Sequence, residues 1–247
     1  MIMKKAFLLV LFSMLIASAT FSSSGPNSTF TDEELKAIEA FWNFRMELTL
    51  LQDDDTAAKA LEDYRINRHQ NNLSLGEEAK TVIECNILME SFNYLYGFAG
   101  EHKESRKDFE NARKKLKACM GSRHDSQLSP YTLLCYADIT SYYMAYSIAD
   151  IIMMGMSVKK YQEKCLEQDQ FFSPAMINYG QWFYYSPKIF GGSKEKTRQW
   201  LTKAIDNSKS PAEEFYARTA YSQFLFEMKE YEECKNQIEK SERLCPG

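Results

Sequence analysis

The sequence predicts an all-α protein, a right-handed solenoid of about five helical hairpins with a concave face. Three observations predict it. From residue 31 onward apolar residues recur at three- and four-residue spacing, with no sustained period-two alternation. The helix starts Ser129-Pro130, Ser173-Pro174 and Ser210-Pro211 stand 44 and 37 residues apart, a spacing of repeat architectures. Composition permits a packed core: 45% of the 247 residues are apolar, with only ten Gly and six Pro. With 30 basic and 34 acidic residues the chain has no electrostatic footprint for nucleic acid.

Taken in order, residues 1–19 read as a secretory signal. Lys4 and Lys5 form its positive start, Ala6 to Ala17 its apolar run, and Ala17-Ser18-Ala19 its cleavage site. Cleavage near Ala19 predicts a periplasmic or secreted protein with a net charge of −6, down from −4 by the loss of two lysines. No Cys lies near that site, so a lipid anchor is not expected. Residues 20–30 are expected to be a flexible segment, and 31–247 the helical repeat domain. Asn27 and Asn72 open glycosylation sequons, relevant only in a host that glycosylates exported proteins.

The hairpins are expected at 31–70, 76–119, 130–168, 173–208 and 211–245. Thr31 with Glu34, and Ser210 with Glu213, have capping-box spacing. In the three Ser-Pro pairs a capping hydroxyl precedes a proline whose missing N–H costs nothing in the first turn. Asp53-Asp54-Asp55, Gly100, Gly155 and Gly191-Gly192 mark the turns within hairpins. The acidic triplet lacks the alternating ligands, central Gly and terminal Glu of a calcium loop; Asp55 is expected to cap a helix starting at Thr56. The most apolar stretch, Tyr131 to Met156, is interrupted by Asp138 and Asp150. A charge at bilayer depth costs several kcal/mol, so buried helix is expected and no transmembrane span in the mature chain.

A resemblance then follows from particular residues. In the last hairpin Arg218, Tyr221, Ser222 and Leu225, then Cys234 and Ile238, then Pro246, occupy the positions of the tetratricopeptide pattern. Ser222 and Cys234 are the small residues that let its two helices approach. Met89, Phe92, Asn93, Tyr96, Ser105 and Phe109 fit the second hairpin. Phe41, Phe44, Leu48, Ala57 and Leu61 fit the first, where Arg45 replaces the small residue. Met176, Tyr179, Gly180, Phe183, Thr197 and Leu201 fit the fourth, with about five extra residues around Pro187. The third hairpin has no clean register. The chain thus resembles the tetratricopeptide-repeat (TPR) family, which implies a solenoid that binds a protein or peptide partner. The segment Ser186 to Ser193, with Gly191-Gly192, is similar to the loop of the T-component family of bacterial TRAP transporters. That resemblance implies a solute-handling accessory role beside a solute-binding transporter subunit; the aromatic and methionine clustering of the third and fourth hairpins, with this loop, points to a small hydrophobic solute.

No catalytic constellation emerges. His69, His102 and His124 are not spaced as ligand pairs, and no zinc, c-haem, nucleophile-elbow or phosphate-loop pattern occurs. The chain is therefore read as a non-enzyme with no cofactor and no metal. The basic clusters Arg113-Lys114-Lys115 and Lys159-Lys160 are expected to be solvated faces.

Six Cys in an exported chain raise disulfides. Antiparallel hairpins bring Cys85 towards Cys119 and Cys135 towards Cys165; the alternative is that each serves as a small packing residue. Four successive aromatics, Trp182 to Tyr185, cannot share one helix face at about 100° per residue. Together with Tyr142, Tyr143 and Tyr146, near Met144, Met153, Met154 and Met156, they offer either inter-repeat core or an adaptable apolar groove. Tyr142, Tyr146, Trp182, Tyr184 and Tyr185 are the ligand-contacting residues expected of that groove.

Overall fold

The computed structural model describes residues 30–51, 53–69, 74–96 and 105–245. The expected leader and cleavage site, the expected flexible segment as far as residue 29, both sequon asparagines, Gly100, His102 and Pro246 lie outside the described residues. Within them run ten α-helices and no strand. The helices are α1 (Asp32–Leu48), α2 (Asp54–Tyr64), α3 (Glu77–Tyr96), α4 (Ser105–Met120) and α5 (Pro130–Met144). They continue as α6 (Ile148–Gln168), α7 (Ser173–Tyr185), α8 (Lys194–Asp206), α9 (Pro211–Glu227) and α10 (Tyr231–Glu242). The chain forms two compact units, one running to Lys164 and the other from Cys165 onward. None of the helices described is long and apolar enough to cross a membrane.

In the first unit α1 starts at a complete capping box. The Glu34 carboxylate accepts from the Thr31 amide at 2.7 Å, and the Thr31 hydroxyl accepts from the Glu34 amide at 3.3 Å. The second Glu34 oxygen accepts from the Gly76 amide at 2.9 Å, where a Cβ would stand 2.7 Å from that oxygen. One carboxylate thereby caps α1 and ties it to the start of α3. Asp53, not Asp55, caps α2, its carboxylate accepting from the Thr56 amide at 2.7 Å. That bond holds the Asp53 carboxyl below its ordinary range.

α3 packs on α1, α2, α4 and α5, and α4 packs on α5. The Phe92 and Phe109 rings meet edge-on at 5.2 Å, and Leu116, Leu133 and Ile139 are sealed from solvent. α3 and α5 run parallel, since the Thr132 hydroxyl donates to Glu78 at 2.6 Å near their starts and the Tyr142 hydroxyl to Asn93 at 3.1 Å near their ends.

The apolar stretch of the third hairpin divides differently from the expectation. Its turn falls at residues 145–147, where the Ser147 hydroxyl accepts from the Asp150 amide at 3.4 Å. Gly155 lies inside α6 with open space around it. A polar cap at Ser147 starts the second helix at Ile148, whereas a glycine facing solvent merely lacks a side chain. α5 is buried almost all round, while α6 leaves Ile148, Ile152, Met153 and Met156 exposed. Arg113 is not on a solvated face either: it donates to Thr140 at 3.1 Å and lies over the Tyr136 and Tyr143 rings.

In the second unit α7 packs on α8 and α9, and α9 on α8 and α10. Gly180 lets α7 approach α8, since a Cβ there would meet Leu201 at 3.1 Å. The Cys234 thiol donates to the Ser222 carbonyl at 3.3 Å where α9 and α10 approach. Ser173 is the first helical residue of α7 and not its cap; its hydroxyl donates to the Ala204 carbonyl at 2.8 Å, binding α7 to α8. Ser210 caps α9, accepting from the Glu213 amide at 3.2 Å, but the Glu213 carboxylate takes the Lys209 amide at 2.5 Å. The Gly191-Gly192 loop is tight. Gly191 has φ of +97°, and a Cβ on Gly192 would stand 1.8 Å from the Ser186 carbonyl oxygen.

Candidate functional site

Three helices of the first unit, each opening a hairpin, carry a continuous polar chain into the core. Trp42 and Arg45 come from α1, Glu90 and Asn93 from α3, and Tyr142 from α5. Arg45 and Glu90 are ion-paired with side chains only 6% and 7% exposed. The guanidinium also lies 4.7 Å from the centre of the Trp42 ring, which favours the cation by its quadrupole. Asn93 donates to Glu90 at 3.5 Å and accepts from the Tyr142 hydroxyl at 3.1 Å. Each partner satisfies the next, as low-dielectric surroundings require.

The charges there act on one another. Burial pushes the Glu90 carboxyl above its ordinary range, against the pull of Arg45 and the Asn93 hydrogen bond. Burial, followed by the Glu90 charge, raises the Tyr142 hydroxyl well above the phenol range and the Tyr94 hydroxyl to about 12. These tyrosines therefore act as hydrogen-bonding groups and not as bases near neutral pH. Around the chain stands an aromatic cluster. Tyr142 lies 5.7 Å from Phe92 and 5.0 Å from Phe109, and Tyr146 lies 6.3 Å from Phe109.

Of the five expected ligand-contacting residues, Tyr142 and Tyr146 thus share one cluster in the first unit. Trp182, Tyr184 and Tyr185 belong to the second. There Trp182 and Phe183 are core residues beside Tyr179, packed with Trp200 and Leu166. Tyr184 is half-buried and meets Phe224 of α9 edge-on at 5.5 Å. Burial raises the Tyr184 and Tyr185 hydroxyls, Tyr185 the more. Met144 is buried, whereas Met153 is 78% exposed. The aromatic and methionine residues therefore divide between core and outer surface.

All six cysteines are free thiols. Cys119 lies opposite Thr81, with Sγ 3.4 Å from its hydroxyl, one helical turn before Cys85. Cys135 turns onto α3, its Sγ 3.8 Å from the Val82 carbonyl oxygen. Cys165 is wholly buried.

Sequence reasoning missed the Arg45–Glu90 pair. Arg45 was conspicuous as a charge where the repeat pattern wants a small residue, but its partner is 45 residues away and carries no local signal. Among the described residues no three His, Cys, Asp or Glu side chains converge as a metal site would need. Compared with models of known protein families the chain matches none, and comparison with curated proteins gives no match either.

Proposed function

We propose that the protein is an exported, non-enzymatic scaffold whose hairpins stack as tetratricopeptide-like repeats and bind a protein or peptide partner in the bacterial envelope. The observation that supports this reading most is the order of packing. Within each unit the first helix of a hairpin lies on the first helix of the next, as α1 on α3, α3 on α5 and α7 on α9. The second helices α2, α4 and α8 each lie on the first helix that follows. Hairpins stacked this way bury their apolar faces against neighbours, which is the physical basis of helical repeats. Ile148, Ile152 and Met156 of α6 recur at four-residue spacing on an exposed face, a surface suited to an apolar partner segment.

A photo-reactive residue at Ile152 or Met153, in protein produced in its own envelope, tests the proposal. The expected result is one cross-linked second polypeptide, lost when Ile148 is replaced by Asp. No second polypeptide from either position overturns the scaffold reading.

A second reading, an accessory protein of a TRAP-type transporter taking a small hydrophobic solute, draws on the Gly191-Gly192 loop, which holds Ile189 and Phe190 exposed. Native mass spectrometry of gently purified protein separates the two. A mass excess lost on denaturation favours the solute, and a clean polypeptide mass removes it.

A further inference from the structure

Cys85 and Cys135 occupy facing positions on α3 and α5, the parallel first helices of two successive hairpins. They are 2% and 3% exposed. The Cys135 thiol reaches the backbone of the opposite helix, 3.8 Å from the Val82 carbonyl oxygen, which also accepts from the Asn86 side chain at 2.9 Å. On a helix, residues three and four apart flank one groove. A sulfur at the Val82 carbonyl therefore sits in the groove bounded by Val82, Cys85 and Asn86. Hydrogen bonding to backbone across two helices demands the close approach that a disulfide bridge also demands.

The competing partner is out of step. Lys115 of α4 pairs with Glu84, and Phe109 meets Phe92, so the turn of α4 that faces Cys85 is the one holding Lys115. Cys119 lies a turn further on, against Thr81 and the Glu77 carbonyl. Cys135, for its part, is committed to α3.

We infer that Cys85 and Cys135 are the residues that form a disulfide, tying the first helices of two neighbouring hairpins together under oxidising conditions. With a low-molecular-weight disulfide as oxidant, one protein thiolate attacks it and releases one small thiol, leaving a mixed disulfide. The second protein thiolate attacks the protein sulfur of that bond and releases the other small thiol. Two electrons pass from the cysteines to the oxidant, and the two thiol protons end on the released thiols. The neighbouring Cys85 thiol and burial push the Cys135 thiol well above its ordinary range, so little thiolate exists in the folded reduced protein. The bond therefore forms while the chain folds, and closed packing then protects it. In the cell this inference rests on the export proposed above, which supplies the oxidising compartment.

Refolding the chain in a buffer of reduced and oxidised glutathione, trapping with acid and mapping tryptic peptides tests it without reference to the compartment. Trypsin releases the six cysteines on six different peptides, with Cys85 on 81–103 and Cys135 on 124–159. The expected result is a dominant 81–103/124–159 cross-link, with loss of two free thiols and none in Cys85→Ser protein, where Cys135 stays alkylatable. A dominant Cys85–Cys119 or Cys135–Cys165 cross-link overturns the inference, as does recovery of Cys85 and Cys135 both as thiols. Because the buffer supplies the oxidant, such a failure counts against the pair and leaves the question of export untouched.

Discussion

Replacing Arg45 by Met keeps much of the aliphatic stem against Trp42 and removes the charge that Glu90 faces. The Glu90 side chain is only 7% exposed, so the carboxylate then stays buried without its counter-charge. Breaking a buried pair in this way costs about 3–5 kcal/mol. A second route to the magnitude uses the proton. A Glu90 that escapes the penalty by remaining neutral must hold a proton that the unfolded chain releases above 4.5. That costs about 1.4 kcal/mol per pH unit, hence about 3 kcal/mol at pH 7 and below about 1 kcal/mol at pH 5.

The sign follows from the raised folded value. The folded variant binds the proton more tightly than the unfolded chain, so stability is full below 4.5 and is lost as pH rises through the folded value. Urea unfolding of Arg45→Met protein, measured against the parent, should show a loss of about 3–5 kcal/mol at pH 7. About 2–3 kcal/mol of that loss should return on acidification to pH 5. The double variant Arg45→Met/Glu90→Met should lie within about 1 kcal/mol of the parent, because apolar replacement of both partners removes the desolvation penalty with the attraction. A single variant that loses under about 1 kcal/mol, or shows the same loss at pH 5 and pH 7, refutes the reading of Glu90 as a buried carboxylate neutralised by Arg45.

Tyr142→Phe removes the hydroxyl that Asn93 accepts and should lower stability by about 1 kcal/mol in the same assay. Gly192→Ala places a methyl 1.8 Å from the Ser186 carbonyl oxygen; the loop must open, and thermal unfolding should record a loss of roughly 1–3 kcal/mol. Ile152→Asp, at a side chain 65% exposed, should leave stability within about 0.5 kcal/mol while abolishing cross-linking to the partner.

Much of the helical frame was legible because it rests on local chemistry. The Thr31–Glu34 box and the Ser129 cap act within one helical turn, and Ser222 opposite Cys234 is a size match twelve residues apart. Where a residue had two local roles open to it, the sequence pattern picked the wrong one. Ser173 carries the same Ser-Pro signal as Ser129, yet its hydroxyl serves the α8 backbone. Asp53 and Asp55 are chemically identical candidates for the α2 cap, and only backbone geometry selects Asp53. The displaced turn at 145–147 explains why the third hairpin had no clean register. A turn set at Gly155 assigns residues 148–154, the first seven of α6, to the wrong helix. Arg113 illustrates the remaining gap: a cation in a basic cluster looks solvated until two tyrosines from another helix are folded beneath it.

The polar chain from Arg45 to Tyr142 has a consequence that an apolar seam lacks. Leucines between parallel helices tolerate a slip of one turn, because each meets another apolar side chain after the slip. Arg45 and Glu90 do not: a turn of displacement strands two buried charges at a cost of several kcal/mol. Asn93 and Tyr142 extend the same constraint to α5, and Glu34 imposes it at the other end by binding both Thr31 and Gly76. The first helices of this unit are thereby keyed in register at both ends, by groups whose pairing contributes little net stability. A bridge between Cys85 and Cys135 would lie between the Thr132–Glu78 and Tyr142–Asn93 hydrogen bonds, on the α3–α5 pair that those two bonds align. Register and cross-link then depend on each other: the polar keys bring the thiols opposite one another, and the bond would make the register they define permanent.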